Sequence, residues 1–345
     1  MKKMKRTTIC LTLCLALMLT LLTACGNLNA FGSAPMSAAE GGCELQSMTT
    51  ESFSNGEAVQ SVTMHYAANG LVESIESGAQ TQDVEYTFDD NGSPVTIAVN
   101  TEDDPFSAEL EIDYGGITTV ALKSLTVNGE TGTDFSSPNT LMSNTFLMIF
   151  RLIEHFDAFR NATLYVPDAY TEQRMADGEV VYLSTHYDNI STTTEILHNP
   201  DGGTTTVIST DVGGTRSVQS ITADAERCPI RYSVSGGGNQ IAFDIAYTEN
   251  EDGSRVGMPE NIDVSGEGDG IAELQQQLGS IKVCRCAYED GKLTMVEQYQ
   301  VMQASESDNS LLSAVNYDAQ GRMTQQTTFN PLSGEKLQVT TCTYR

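Results

Sequence analysis

The side chains best equipped for chemistry in this 345-residue chain are its cysteines. Six lie beyond the apolar N-terminal stretch: Cys25, Cys43, Cys228, Cys284, Cys286 and Cys342. Cys284 and Cys286 sit in the run Ile281-Lys282-Val283-Cys284-Arg285-Cys286. At the two-residue period of a strand their thiols share one face. Extended backbone holds such neighbours too far apart to bridge each other. A bridge from either would run to another strand, and the pairing among Cys43, Cys228, Cys284, Cys286 and Cys342 stays open. Unbridged, each is expected to pack as a small buried hydrophobe. No second Cys or His pair has the spacing that would complete a metal site with Cys284 and Cys286.

The remaining chemical groups are scattered. His65, His155, His186 and His198 form no close pair. His155 reads as a polar edge residue of a helix. The acidic runs Glu102-Asp103-Asp104 and Glu249-Asn250-Glu251-Asp252-Gly253 are the best calcium candidates, through Asp103, Asp104 and Asp252. Neither follows the helix–loop–helix pattern of alternate oxygen ligands closed by a Glu. No nucleophile elbow, phosphate loop or dinucleotide fingerprint occurs. The chain has no tryptophan to serve as a sugar platform in a glycosidase. The sequence therefore assigns no catalytic, cofactor-binding or metal residue, and no cofactor.

The N-terminus carries an address. Lys2, Lys3, Lys5 and Arg6 precede an apolar run from Ile9 to Leu22, too short to span a bilayer. It ends in Leu22-Thr23-Ala24-Cys25. This resembles the lipobox of bacterial lipoproteins. The resemblance implies cleavage of a signal peptide over residues 1–24 and lipidation of Cys25. It also implies residence on the extracytoplasmic face of a cell membrane, since two acyl chains anchor stably where one would be marginal. The odd count of five remaining cysteines then cannot all pair within one chain. Residues 25–42, rich in Gly, Ala, Ser and Asn, read as a tether with a reach of roughly 20–25 Å.

Charge restricts partners. The chain holds 46 acidic and 18 basic residues, and four of the basic ones lie in the signal, leaving −32 on the mature chain. Such a surface repels nucleic acid and anionic headgroups. The anchor on Cys25 is then the expected membrane contact, and a protein or glycan of the envelope the expected partner.

Two-residue alternation dominates the mature chain. Ala108, Leu110, Ile112 and Tyr114 are apolar with carboxylates between them, and Val62, Met64 and Tyr66 repeat the pattern. So do Val84, Tyr86 and Phe88, and Ile241, Phe243, Ile245 and Tyr247. Asn-Gly and Asp-Gly pairs punctuate these runs at hairpin positions. Some hairpins share a finer signature: Tyr66 to Leu71, Phe88 to Gly92, Tyr288 to Leu293 and Tyr317 to Met323. Each has an aromatic closing a strand, a polar turn and a glycine. They resemble the YD repeats of Rhs-type bacterial surface and toxin-shell proteins. That likeness implies long, curved antiparallel sheets that act as scaffold, with no active-site residue to carry over.

One segment breaks the pattern. Thr140 to Phe159 is apolar nearly all round at helical spacing, with Arg151, Glu154, His155 and Asp157 as its polar face. A second, short helix fits Ile271 to Leu278, stopped by Gly279. The expected architecture is thus mainly β: a large antiparallel meander, open or half-barrel-like, with one long apolar helix packed on it. The β regions are 43–137 and 165–345, with the helix segment 138–164 between them, read as one continuous domain. The expected role is a non-catalytic binding or scaffold module. A carrier of an apolar ligand held between sheet and helix is the alternative, and an enzyme the second alternative.

Overall fold

The computed structural model describes residues 44–99, 105–127, 129–135, 148–167, 171–187, 189–266, 271–299, 311–330 and 333–345. Residues 1–43, which include the expected signal peptide and tether with Cys25 and Cys43, lie outside them, as do Asp103 and Asp104. The chain divides into two compact units. One comprises Ser54–Gly56 and Thr192–Val339, and the other Pro35–Phe53, Glu57–Ser191 and Thr340–Arg345, apart from the N-terminal residues. No described helix is long and apolar enough to cross a membrane.

The Glu57–Ser191 unit is an antiparallel meander. It begins with β1 (Leu45–Ser54), β2 (Glu57–Tyr66), β3 (Val72–Ser77) and β4 (Gln80–Phe88). It continues through β5 (Pro94–Val99), β6 (Phe106–Asp113) and β7 (Thr119–Val127). Beside β7 lie the short β8 (Glu130–Gly132), antiparallel, and β9 (Thr163–Val166), parallel. The unit ends in β10 (Thr171–Ala176) and β11 (Glu179–Tyr187). The parallel pairing requires a crossover between β7 and β9, which the helical segment supplies.

An open sheet would leave β1 as a bare edge. Instead β1 pairs with both β2 and β22 (Lys336–Tyr344). Within this unit the Arg345 amide donates to the Glu44 carbonyl at 2.8 Å, and Ser47 and Thr343 share a hydroxyl hydrogen bond. The expectation of an open or half-barrel-like meander is corrected at this strand, which is paired on both sides; the unpaired amides of an open edge would invite other chains.

The Thr192–Val339 unit is a second meander. It follows β12 (Ile190–His198) with β13 (Thr204–Val212), β14 (Thr215–Ala223), β15 (Pro229–Gly236) and β16 (Asn239–Glu249). Then come β17 (Arg255–Ser265), β18 (Cys284–Glu289), β19 (Lys292–Tyr299), β20 (Leu311–Tyr317) and β21 (Met323–Phe329). The expected short helix is present as α2 (Ile271–Leu278), between β17 and β18. Tyr232 and Phe243 stack at 5.1 Å in this unit's core, beside Ile221, Ile241 and Leu278.

Two kinds of turn join these strands. Asn55-Gly56, Asp177-Gly178 and Asp290-Gly291 are tight, with positive φ at both residues. That geometry matches the right-handed twist of the flanking strands. The other kind spans five residues and recurs at 67–71, 89–93, 199–203, 224–228, 250–254 and 318–322. In each, the first amide donates to the fifth carbonyl and the fourth amide donates back to the first carbonyl. An Asp or Asn side chain holds the inner amides; Asp318 Oδ1, for example, accepts from Gln320 and Arg322 at 2.9 Å each.

The long helix needs correction. Residues 148–153, here α1, are helical, and the part of the expected helix before residue 148 lies outside the described residues. The helix does not run on to Phe159. It stops at Ile153, and Asp157–Phe159 forms a separate 3₁₀ turn after an extended Phe156. The cause is the 67–71 turn. The Asp157 amide donates to the Asn69 carbonyl, and Gly70 presses so close that a Cβ there would meet the His155 carbonyl oxygen. Ile149, Phe150, Leu152 and Ile153 are fully buried. Tyr86 of β4 donates to the Leu152 carbonyl at 3.2 Å, which seats α1 against the sheet as its apolar pattern requires.

Candidate functional site

Three of the sequence's cysteines converge inside the Thr192–Val339 unit. Cys228 is the fifth residue of the 224–228 turn, and its amide is held by Asp224 Oδ1 at 2.8 Å. Cys284 and Cys286 face inward from β18 and are completely buried. Cys228 and Cys286 belong to one contact cluster, with Val296, Val315 and Tyr317. All four described cysteines are unpaired and buried.

Two phenols lace the thiols together. Tyr247 on β16 donates to the Pro229 carbonyl at 2.6 Å. Its oxygen also lies 3.2 Å from the Cys284 sulfur and 3.9 Å from that of Cys286. Tyr288 on β18 lies 2.8 Å from the Cys228 sulfur. On its outer side Arg255 donates to the Tyr288 hydroxyl at 3.3 Å and covers its ring. A continuous chain thus runs from an exposed cation through Tyr288, Cys228 and Cys286 to Cys284 and Tyr247. Gly257 makes the room: a Cβ there would sit 2.6 Å from the Cys284 sulfur.

The thiols differ in acidity. Contact with Cys286, then with Tyr247, holds Cys284 below the usual thiol range despite its burial. Contact with Cys228 would lower Cys286, but its hydrogen bond to Cys284 and its burial outweigh this and push it up to about 12. Contact with Cys286, then burial, drives Cys228 upward. Of the three thiols only Cys284 is held below its ordinary value. Among the described residues no group of three or more His, Cys, Asp or Glu is arranged to hold a metal ion. The calcium candidate Asp252 is engaged elsewhere, by Ser254 and by Arg285 at 3.0 Å.

A second polar cluster lies in the Glu57–Ser191 unit, where the sequence placed a solvated helix face. Glu154 and His155 are buried instead. The Glu154 carboxylate accepts from Gln173 at 3.0 Å and lies 3.6 Å from His155 and 4.0 Å from Arg151. Burial alone would raise Glu154, yet Arg151, His155 and Gln173 together hold it low. Burial lowers His155, against the pull of Glu154. Cys342, also in this unit, is raised to about 11 by burial.

The same unit carries an exposed apolar ridge. Phe88 is 50% exposed, Tyr114 45% and Ile117 65%. Tyr114 donates to Asp89 at 2.5 Å, which joins the β4–β5 and β6–β7 turns. Ile117 lines a cleft of about 430 Å³ with Thr118, Asp157, Arg160, Asn161 and Asp177.

Comparison with known proteins adds little. No protein-family model matches the chain. No curated protein matches it. Among solved structures, a porin-like protein from Bacteroides uniformis ATCC 8492 is similar over 87% of this chain and 98% of its own, at 11% identity and a TM-score of 0.23.

Proposed function

We propose that this chain is a lipid-anchored extracytoplasmic protein that acts as a non-catalytic binding module, with an envelope glycan as its partner. The anchor reading rests on the ordered signal, apolar core and Leu22-Thr23-Ala24-Cys25. The observation that carries the binding reading is the ridge of Phe88, Tyr114 and Ile117 beside the acidic cleft. Two aromatic side chains half in water forgo burial that would stabilise the fold. Rings beside Asp89, with Asp157 and Asn161 in the cleft that Ile117 lines, suit a polyol, which offers C–H faces to rings and hydroxyls to carboxylates and amides. The carrier alternative fits less well, because Ile149, Phe150, Leu152 and Ile153 of α1 are packed into the core.

The test uses the full chain on isolated native envelope. Phe88→Ala with Tyr114→Ala should weaken binding at least tenfold, while Val59→Ala, 63% exposed on β2, should not. Periodate treatment of the envelope should abolish binding and protease treatment should spare it. Equal binding by both variants sinks the ridge, and the opposite treatment result makes the partner a protein. Cys25→Ala should release the chain from membranes; retention would overturn the anchor.

A further inference from the structure

We propose that Cys228 and Cys286 are a dithiol redox pair that closes to a disulfide on meeting a small peroxide. The pair is singled out by position. Cys284 and Cys286, two apart on β18, cannot bridge each other. Cys284 packs in a different cluster, with Leu278 and Val283, and is held by Tyr247. Cys228 and Cys286 touch within one cluster. Cys228 also contacts Tyr288, the half-buried end of the chain that leads to the exposed Arg255. It is therefore the outermost of the three thiols, and the burial of all three selects a small reagent.

The chemistry balances. The Cys228 sulfur attacks one peroxide oxygen and the O–O bond breaks. The thiol proton leaves with the other oxygen as water, and Cys228 becomes a sulfenic acid. The Cys286 sulfur then attacks the Cys228 sulfur, the S–O bond breaks, and the departing hydroxide takes the Cys286 proton as a second water. Two thiols lose two electrons, and one hydrogen peroxide is reduced to two waters. Tyr247, touching both Cys284 and Cys286, keeps the spare thiol Cys284 in place.

The inference stands apart from the binding reading, and either can fail alone. The experiment treats the full, anaerobically reduced chain with hydrogen peroxide, then denatures, alkylates and digests it for mass spectrometry. The expected product is a Cys228 peptide joined to a Cys286 peptide, with Cys284 and Cys342 alkylated. Cys286→Ser should leave a Cys228 sulfenic acid that dimedone traps, and Cys342→Ser should change nothing. Alkylation of both Cys228 and Cys286 at doses that oxidise methionine overturns the proposal, as does a dominant bridge between any other pair. Should a serine variant fail to fold, the product map of the unaltered chain decides alone.

Discussion

The Cys228 sulfur and the Tyr288 hydroxyl lie 2.8 Å apart although 60 residues separate them. The contact ties the end of the 224–228 turn to the end of β18, and it is the outermost link of the buried thiol chain. Tyr288→Phe keeps the ring and removes the link. We expect a stability loss of about 1 kcal/mol and faster alkylation of Cys228 in the folded protein. Unchanged alkylation kinetics would mean that Tyr288 does not guard the thiol.

Alkaline pH should destabilise the Glu57–Ser191 unit through Cys342. Burial raises this thiol to about 11 from an ordinary value of 9.0. The unfolded chain therefore gives up the proton first. The contribution is fully present below pH 9 and is lost as pH rises toward 11, amounting to roughly 2–3 kcal/mol across that window. Cys342→Ala should flatten urea-melt midpoints between pH 8.5 and 10.5. A slope equal to that of the unaltered chain refutes the assignment.

Mild acid should act through His155. Its folded value is depressed below the ordinary 6.5 by burial. The unfolded chain thus binds a proton that the folded chain refuses, and stability falls as pH drops below about 6.5. Glu154 is also depressed, from 4.5, so its part is lost only at lower pH. His155→Gln should remove the fall between pH 7 and 5 and leave the steeper fall below pH 4.5. Denaturant midpoints at pH 7, 6, 5 and 4 separate the two.

Gly70 and Gly92 occupy the same position of the same turn, yet should respond differently to alanine. Both have φ near +80°. A Cβ at Gly92 meets nothing, so Gly92→Ala should cost only the left-handed strain, about 1–2 kcal/mol. A Cβ at Gly70 would sit 1.6 Å from the His155 carbonyl oxygen. Gly70→Ala should cost more than about 3 kcal/mol, since main chain must move. Equal losses would show that the segment after α1 does not rest on this turn.

Much of the fold was legible because alternation and turn chemistry are local. Ala108 and Leu110, read as a dry face, are buried, and Asn55-Gly56 and Asp290-Gly291 form tight turns. Tyr114, read on the same dry face, is exposed, because β6 ends at Asp113 and Tyr114 lies beyond the strand. Asn69-Gly70 and Asn91-Gly92 look like tight turns but belong to five-residue ones in which only the glycine takes positive φ. The helix end at Ile153 was not legible, since the turn that stops it lies more than 80 residues earlier. Nor was the burial of Glu154 and His155, whose partner Gln173 arrives from β10. The thiols of Cys284 and Cys286 read correctly as sharing a face. Nothing local announced Cys228, which reaches them only once β15 to β18 have paired.

The five-residue turn has an evolutionary consequence. The two main-chain hydrogen bonds that close it are made within its own five residues, in both units. A hairpin closed this way carries its own register and asks nothing of distant sequence. Such a hairpin can be duplicated or deleted whole, leaving its neighbours to re-pair across the gap. Homologues of this chain should therefore differ in length by whole hairpins, an even number of strands at a time.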